Sequence, residues 1–414
     1  MTDRFPRDLQ YLKFSAYGFL KNLRFFEPFM ILFLREQGVS FLQIGTLYAI
    51  REIAVNILEI PTGALADGLG RRKTMIASFA SYLISFALFW FGSTFGAFVV
   101  AILLFSFGEV FRTGTHKAMI FTHLRLGGLE RFSNDYYGHT RAWSQAGSAL
   151  SSLIAAAIVF GSGNYRAVFL YSMIPYVLDL LLMLTYPAEL DGAAGRLTLS
   201  NLGKNFRELG RGLRETARRP GARRSVTSAA VFAGYFKGAK DYLQPMVAAL
   251  ALTVPIGASL AVEQREALLI GLVYTVLYLL TSFASRSSAA IATRLHSPER
   301  ALNWELLLGL LLAIGAGLAR VGEYALLPVI FFVAIYIVQN LRQPVGVAVV
   351  AERVPEAALA TVLSVESQLQ SFFAALVAFA IGAAAEAAGG NVGLGVAGAA
   401  AAGLLMLPFL WIRR

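Results

Sequence analysis

One stretch of the chain, residues 59–73, reads EIPTGALADGLGRRK and gives the strongest sequence signal for the fold. It lies between two apolar stretches, residues 42–62 and 74–93, each long enough to cross a membrane as a helix. Three consecutive cations, Arg71, Arg72 and Lys73, close it. Because basic residues concentrate in the loops on the inner face of a membrane, the stretch predicts a short cytoplasmic connection between two spanning helices.

The composition of the whole chain agrees with a membrane location. Of its 414 residues 57% are hydrophobic and only 15% are charged, against about 25% charged in soluble domains. The absence of cysteine excludes disulfides, thiolate metal sites and cysteine nucleophiles, and the four histidines have no metal-binding spacing. We therefore expect an integral membrane protein with no cofactor and no metal.

The chain contains twelve apolar stretches of spanning length. With the N-terminus inside, most lysines and arginines fall in cytoplasmic loops, and the opposite loops carry only Arg35, Arg166, Arg265 and Arg320. An even number of spans then places both termini in the cytoplasm. The predicted spans are 14–34, 42–62, 74–93, 96–119, 139–160, 165–187, 226–250, 267–288, 301–319, 324–347, 359–385 and 392–412.

The longest connection, residues 188–225, divides the chain into two bundles of six helices, residues 1–187 and 226–414. Within it Leu202, Phe206, Leu209 and Leu213 recur at helical spacing with basic residues between them. This pattern predicts a basic amphipathic helix on the inner leaflet, in contact with membrane lipid, or alternatively a solvated linker helix.

The two halves carry similar short patterns at corresponding positions. The first span contains Lys21–Arg24 (KNLR), and the seventh contains Lys237–Lys240 (KGAK). The fourth contains Glu109–Arg112 (EVFR), and the tenth contains Gln339–Arg342 (QNLR). Two matches between helices that lie six spans apart indicate an internal repeat, as in transporters built from structural repeats.

The stretch EIPTGALADGLGRRK resembles the Gly-x-Leu-Ala-Asp-Arg-x-Gly-Arg-Lys signature of the major facilitator superfamily, and it lies in the same loop. The resemblance implies an all-α integral membrane fold with twelve transmembrane helices in two pseudo-symmetric six-helix bundles, N and C termini cytoplasmic. It also implies a monomer that works by alternating access. One departure is Gly68, which stands where the family usually has arginine.

The same loop supplies candidate gating residues. Gly63 and Gly70 are expected to allow tight turns, and Asp67 to lie near a helix N-terminus. The resemblance implies that Asp67, Arg71 and Arg72 latch the two halves together on the cytoplasmic side. The alternative is a plain turn of the positive-inside kind.

Charged residues inside the spans are the strongest candidates for function, because a charge at a helix centre costs about 2.5–3.5 kcal/mol on insertion. In the resembled fold spans 1, 4, 7 and 10 line the central cavity. The candidate substrate-binding residues on these spans are Lys21, Arg24, Arg112, Lys237, Lys240, Gln339, Asn340 and Arg342. One hypothesis is an electropositive cavity for an anion, with Arg112 and Arg342 facing each other; the alternative is that acidic residues neutralise these cations in structural pairs.

Four carboxylates are candidates for proton coupling, since a desolvated carboxylate can load and release a proton. They are Glu27, Glu109, Asp241 and Glu366.

These features predict a secondary transporter for a small anionic or zwitterionic solute, coupled to protons, in a bacterial inner membrane. A drug/proton antiporter for lipophilic compounds is the first alternative, and a non-transporting sensor or assembly factor on the same fold is the second. The chain has no phosphate-binding loop and no set of nucleophile, base and acid, so neither ATP-driven transport nor an enzyme is predicted. It also has no module that would bind nucleic acid.

Overall fold

The computed structural model describes residues 5–191, 207, 210–214, 216–255, 257, 259–295, 297–354 and 356–412; for residues 60, 61, 63, 64, 67, 134, 289, 356 and 357 it describes the backbone only. Helices make up nearly all of these ranges, which contain no strand. The helices are α1 (Leu9–Leu20), α2 (Met30–Glu36), α3 (Phe41–Leu69), α4 (Arg71–Phe91), α5 (Phe95–Arg112), α6 (Thr115–Leu126), α7 (Ser133–Ser162), α8 (Ala167–Leu184), α9 (Pro220–Ala239), α10 (Leu243–Thr253), α11 (Val262–Arg294), α12 (Pro298–Val321), α13 (Leu326–Glu352), α14 (Glu356–Ala387), α15 (Val392–Leu405) and α16 (Leu407–Leu410).

Within the described ranges nine helical segments are long and apolar enough to cross a membrane. They coincide with predicted spans 2–6 and 8–11. The first, seventh and twelfth predicted spans fall instead on helices that are short or interrupted: α1 with α2, α9 with α10, and α15 with α16.

The first and seventh spans are interrupted at matching places, next to lysines of the repeated patterns. Between α1 and α2 the chain forms a 3-10 turn, Glu27–Phe29, whose Pro28 has no backbone N–H to donate to a helix. Between α9 and α10 a second 3-10 turn covers Lys240–Tyr242. The hydroxyls of Tyr176 and Tyr336 donate to the backbone carbonyls of Lys21 and Lys240, at 3.3 and 3.2 Å, and so connect both interruptions to other helices.

Large apolar side chains are exposed along many helices, which is expected of a surface that faces hydrocarbon rather than water. On α11, Leu272 is 61% exposed and Phe283 is 68% exposed; Phe91 at the end of α4 reaches 79%. The polar and charged side chains described below lie mostly on the opposite, buried side of their helices.

The described chain forms two compact units. The first contains the chain up to Met30 and from Ile57 through α8; the second contains Ile31–Asn56 and the helices from α9 onward. In the predicted connection 188–225 most residues of the expected amphipathic helix lie outside the described part. Leu213 is described, on a helical stretch, and is 44% exposed.

The expectation that Gly63 makes a tight turn is wrong, because α3 continues through it to Leu69. The turn is made at Gly70 alone, whose φ of 93° lies in the region that favours glycine. The connection is therefore shorter than the sequence suggests.

Candidate functional site

A cavity of about 560 Å³ opens inside the first unit, within the size range of sites for small molecules. Residues of α1, α5, α6 and α7 line it. Its lining contains four basic side chains and one carboxylate, together with neutral polar groups. The cations are Lys21, Arg112, Lys117 and Arg141, the carboxylate is Glu109, and the neutral groups include Asn22, Thr113, Thr140, Ser144, Gln145 and Ser148.

Glu109 organises the charges beside this cavity. Its carboxylate accepts from Arg24 at 3.0 Å, from Arg112, its neighbour three residues on, and from the hydroxyl of Tyr82 at 2.7 Å. The Nε of Arg112 in turn donates to the Tyr82 hydroxyl at 3.1 Å. One carboxylate thus contacts two guanidinium groups.

Aromatic packing holds this cluster in place. The ring of Tyr82 is fully buried and lies 5.1 Å from the ring of Tyr176, and Phe86 contacts the same ring at 4.9 Å. Both contacts are edge-to-face, the geometry that aromatic pairs favour. This packing positions the Tyr82 hydroxyl between Glu109 and Arg112.

Lys21 differs from the other cations of the cluster. Among the described residues its ammonium makes no ion pair and no hydrogen bond, and it lies 5.7 Å from the centre of the Tyr17 ring. Lys21 is the C-cap residue of α1, directly after Leu20, so the interruption of the first span leaves its side chain at the cavity. A positive charge with no protein partner is available to an anion in the cavity.

Three residues outside the repeated sequence patterns also line this cavity. They are His116, Lys117 and Arg141. His116 is buried, its ring stacks on Tyr17 with centroids 3.6 Å apart, and its Nε2 lies 3.1 Å from the hydroxyl of Tyr186. The KNLR and EVFR patterns gave no signal for them, because they lie on α6 and α7, outside the repeated segments.

Two candidate cations of the second unit are neutralised. The ammonium of Lys237 lies 2.6 Å from Glu52 and donates to Ser371 at 3.2 Å. Glu52 is almost fully buried and also binds Arg51 at 3.1 Å. Lys240 pairs with the adjacent Asp241 at 2.8 Å. Here the structural-pair alternative describes the arrangement better than the free-cation hypothesis.

Arg342 is engaged within the second unit as well. Its guanidinium donates to the carbonyl of Leu302 and to the hydroxyl of Ser228, and it lies 5.3 Å from the centre of the Phe232 ring. The carboxyls of Glu305, which is buried, and of Glu366, which is half-buried, act on it electrostatically. Glu305 is 5% exposed, and neither of its oxygens has a hydrogen-bond partner among the described residues.

The remaining candidates are placed as follows. Gln339 is buried and its Oε1 has no hydrogen-bond partner in the described part of the chain, whereas Asn340 donates to the carbonyl of Tyr336 and accepts from Ser285. Glu27 begins the 3-10 turn of the first span and acts electrostatically on Arg24.

Two of the expected gating residues bind within the first unit. Arg71 donates to the hydroxyl of Thr122 at 2.8 Å, and Arg72 donates through its side chain to the carbonyl of Tyr186 at 3.0 Å. The carboxylate of Asp191 accepts from the backbone N–H of Arg72 and so caps the N-terminus of α4. The side chain of Asp67 lies outside the described residues.

Apolar spanning helices around a polar, cationic cavity define a multi-pass membrane protein. The chain belongs to the Major Facilitator Superfamily, whose family model matches residues 21–378. This is a superfamily of membrane transporters, so the family expected from the loop signature is confirmed.

A similar protein of known sequence does not assign the chain to a particular group within the superfamily. An uncharacterized MFS-type transporter, YxaM of Bacillus subtilis (strain 168), is 27% identical over 175 residues. The match spans 42% of this chain and 40% of that protein.

Solved structures agree on the fold. The nucleoside transporter NupG has a TM-score of 0.76 at 14% identity, covering 98% of this chain and 100% of that one. A POT family transporter in complex with 5-aminolevulinic acid has a TM-score of 0.70 at 13% identity, covering 99% of this chain and 98% of that one. At these identities the likeness concerns the fold alone.

Proposed function

We propose that the protein is a secondary active transporter that moves a small anionic or zwitterionic solute across the bacterial inner membrane by alternating access, coupled to protons and working as a monomer. Its two six-helix bundles, residues 1–187 and 226–414, would move about the solute site. Asp67, Arg71 and Arg72 would serve the gate between them on the cytoplasmic side.

The observation that carries the proposal is the charge of the cavity in the first unit. Four cations and one carboxylate line it, and Lys21 has no ionic partner in the described chain. In the low dielectric of a buried site such a cation attracts an anionic group far more strongly than it would in water. Arg112 adds a planar guanidinium suited to carboxylate or phosphate oxygens.

The same charges weigh against export of lipophilic cations, because every lining cation would repel the cargo. The cavity also offers hydroxyl and amide groups on α1, α5 and α7, which suit a polar solute. A zwitterion such as 5-aminolevulinic acid, which a POT family transporter of the same fold binds, is therefore a reasonable first probe.

Thermal unfolding of the purified protein tests the proposal. We expect organic carboxylates or phosphates to raise the melting temperature, since a ligand at a hundred times its Kd stabilises by about 2.7 kcal/mol. In Lys21→Gln we expect the affinity to fall about 10–100-fold, the value of one charge-assisted contact.

Lys13→Gln is the matched control. Lys13 lies on the same helix and its ammonium donates to the carbonyl of Thr185 at an exposed position, outside the cavity lining. The substitution removes the same charge and should leave the ligand-induced shift unchanged. Stabilisation by lipophilic cations alone, or equal loss in both variants, would contradict the proposal.

A further inference from the structure

Asp179 lies on α8, outside the cavity lining, and the proposed solute site gives it no role. Its side chain is fully buried, and neither carboxyl oxygen has a hydrogen-bond partner among the described residues. An ionised carboxylate without partners is strongly disfavoured in a low-dielectric interior. The group is therefore stable either as the neutral acid or opposite a cation.

Charged and titratable groups act on Asp179 from several sides. Lys21 and Tyr17 act from α1, Arg112 acts from α5, and Tyr176 and Tyr186 act from its own helix and the segment after it. The helices α4 and α7 also pack against α8, and their described residues add no charged group to this set. Arg112 is already paired with Glu109. Lys21 is the cation that remains for Asp179.

Lys21 thus acts both on the cavity and on Asp179. Its ammonium lines the cavity, and it is also the first cation acting on the buried carboxyl. Within the described contacts the ammonium of Lys21 and the carboxyl of Asp179 form no ion pair, so Lys21 acts on Asp179 without being held by it. The charge of Lys21 is then free for an anion.

We propose that Asp179 is a proton-binding site linked through Lys21 to the anion site, so that one anion and one proton bind together. Without an anion, Lys21 is the counterion of the Asp179 carboxylate. When an anion binds Lys21, that compensation is lost, and the carboxylate takes a proton from water to become the neutral acid. A monovalent anion and the added proton leave the net charge of the first unit unchanged, and with a divalent anion such as sulfate the proton offsets one of the two added charges. The coupling step rests on the proposed anion site; the proton site itself does not.

Sulfate is the probe for this coupling, because its own charge is constant across the neutral pH range. Its affinity for the purified protein is measured by calorimetry at several pH values. In the wild type we expect the affinity to rise by about tenfold for each unit by which the pH falls, because binding takes up a proton. In Asp179→Asn the affinity should not change with pH.

Ser172→Ala is the matched control, since Ser172 lies two turns earlier on α8 and is also fully buried with a hydroxyl that lacks a hydrogen-bond partner. It should keep the wild-type pH dependence. An unchanged pH dependence in Asp179→Asn, or its equal loss in Ser172→Ala, would overturn the proposal.

Infrared difference spectroscopy keeps the two proposals apart. We expect the difference spectrum of the wild type between alkaline and acidic pH, recorded without an anion, to show the carbonyl band of a protonated carboxylic acid that is missing in Asp179→Asn. Absence of that band overturns the proton site, even where Asp179→Asn folds poorly. If the band is present and neither sulfate nor any organic anion binds at any pH, the anion site fails while the proton site stands.

Discussion

At the scale of single residues, Glu109 is the carboxylate on which two arginines of the first unit converge. It balances Arg24 and Arg112, and the Arg112 side chain is only 8% exposed. Replacing it by glutamine removes the carboxylate that both guanidinium groups contact. Breaking a buried pair in this way costs about 3–5 kcal/mol. Since 26% of the Glu109 side chain is exposed, we expect a loss of about 2–3 kcal/mol, measured as a lower melting temperature.

Glu130→Gln is the control for this substitution, because Glu130 is exposed, outside the cluster, and carries the same charge. We expect its free energy of unfolding to stay within about 0.5 kcal/mol of that of the wild type. Equal stability of both variants would mean that Glu109 does not hold the arginines. Glu109→Gln with unchanged pH-dependent uptake would exclude Glu109 as a coupling residue.

Sequence reasoning identified the charged residues inside the spans but not which of them are paired. Spacing along a helix places Glu109 and Arg112 on one face, so that pair was predictable. The partners of Lys237 and Arg24 come from distant helices, Glu52 on α3 and Glu109 on α5, and no spacing rule connects them. For the same reason the unpaired state of Lys21 and the isolation of Asp179 were visible only in the structure.

At the scale of helices, close backbone contact fixes α7 against α1. A Cβ added at Gly147 would collide with the backbone of Phe19, whereas Gly138 on the same helix has open space around it. We expect Gly147→Ala to destabilise the protein by about 1–3 kcal/mol through overpacking. Gly138→Ala should be neutral or stabilising by up to about 1 kcal/mol, because alanine favours the helix. Thermal unfolding of both variants checks the opposite signs, and a Gly147→Ala protein as stable as the wild type would contradict this packing.

The sequence predicted the helices well and their interruptions poorly. Apolar length located the nine segments that can span a membrane, because hydrocarbon thickness sets that length. The interruptions after Leu20 and Ala239 were not predicted, although Pro28 and Pro245 mark their neighbourhood. A proline shows where a helix is weak; the tyrosine hydroxyls that stabilise the open turns come from α8 and α13 and leave no local signal.

At the scale of the whole molecule, the charge of the chain has two origins. The net charge of +11 arises largely from loop residues that set the orientation in the membrane. The buried cations form a separate set, and the two units treat them differently. In the second unit Lys237 and Lys240 are paired with acids, whereas the first unit keeps an excess of positive charge at its cavity. We therefore expect the first unit to supply most of the attraction for an anion.

Uptake into proteoliposomes is the direct test of proton-driven transport of an anion or zwitterion. The purified protein is reconstituted, a proton gradient is imposed, and uptake of labelled 5-aminolevulinate and of a panel of carboxylates and phosphates is compared for the wild type, Lys21→Gln and Lys13→Gln. We expect gradient-driven uptake of at least one anion or zwitterion, which Lys21→Gln abolishes and Lys13→Gln retains. Uptake that is indifferent to Lys21, or movement of lipophilic cations alone, would contradict this expectation.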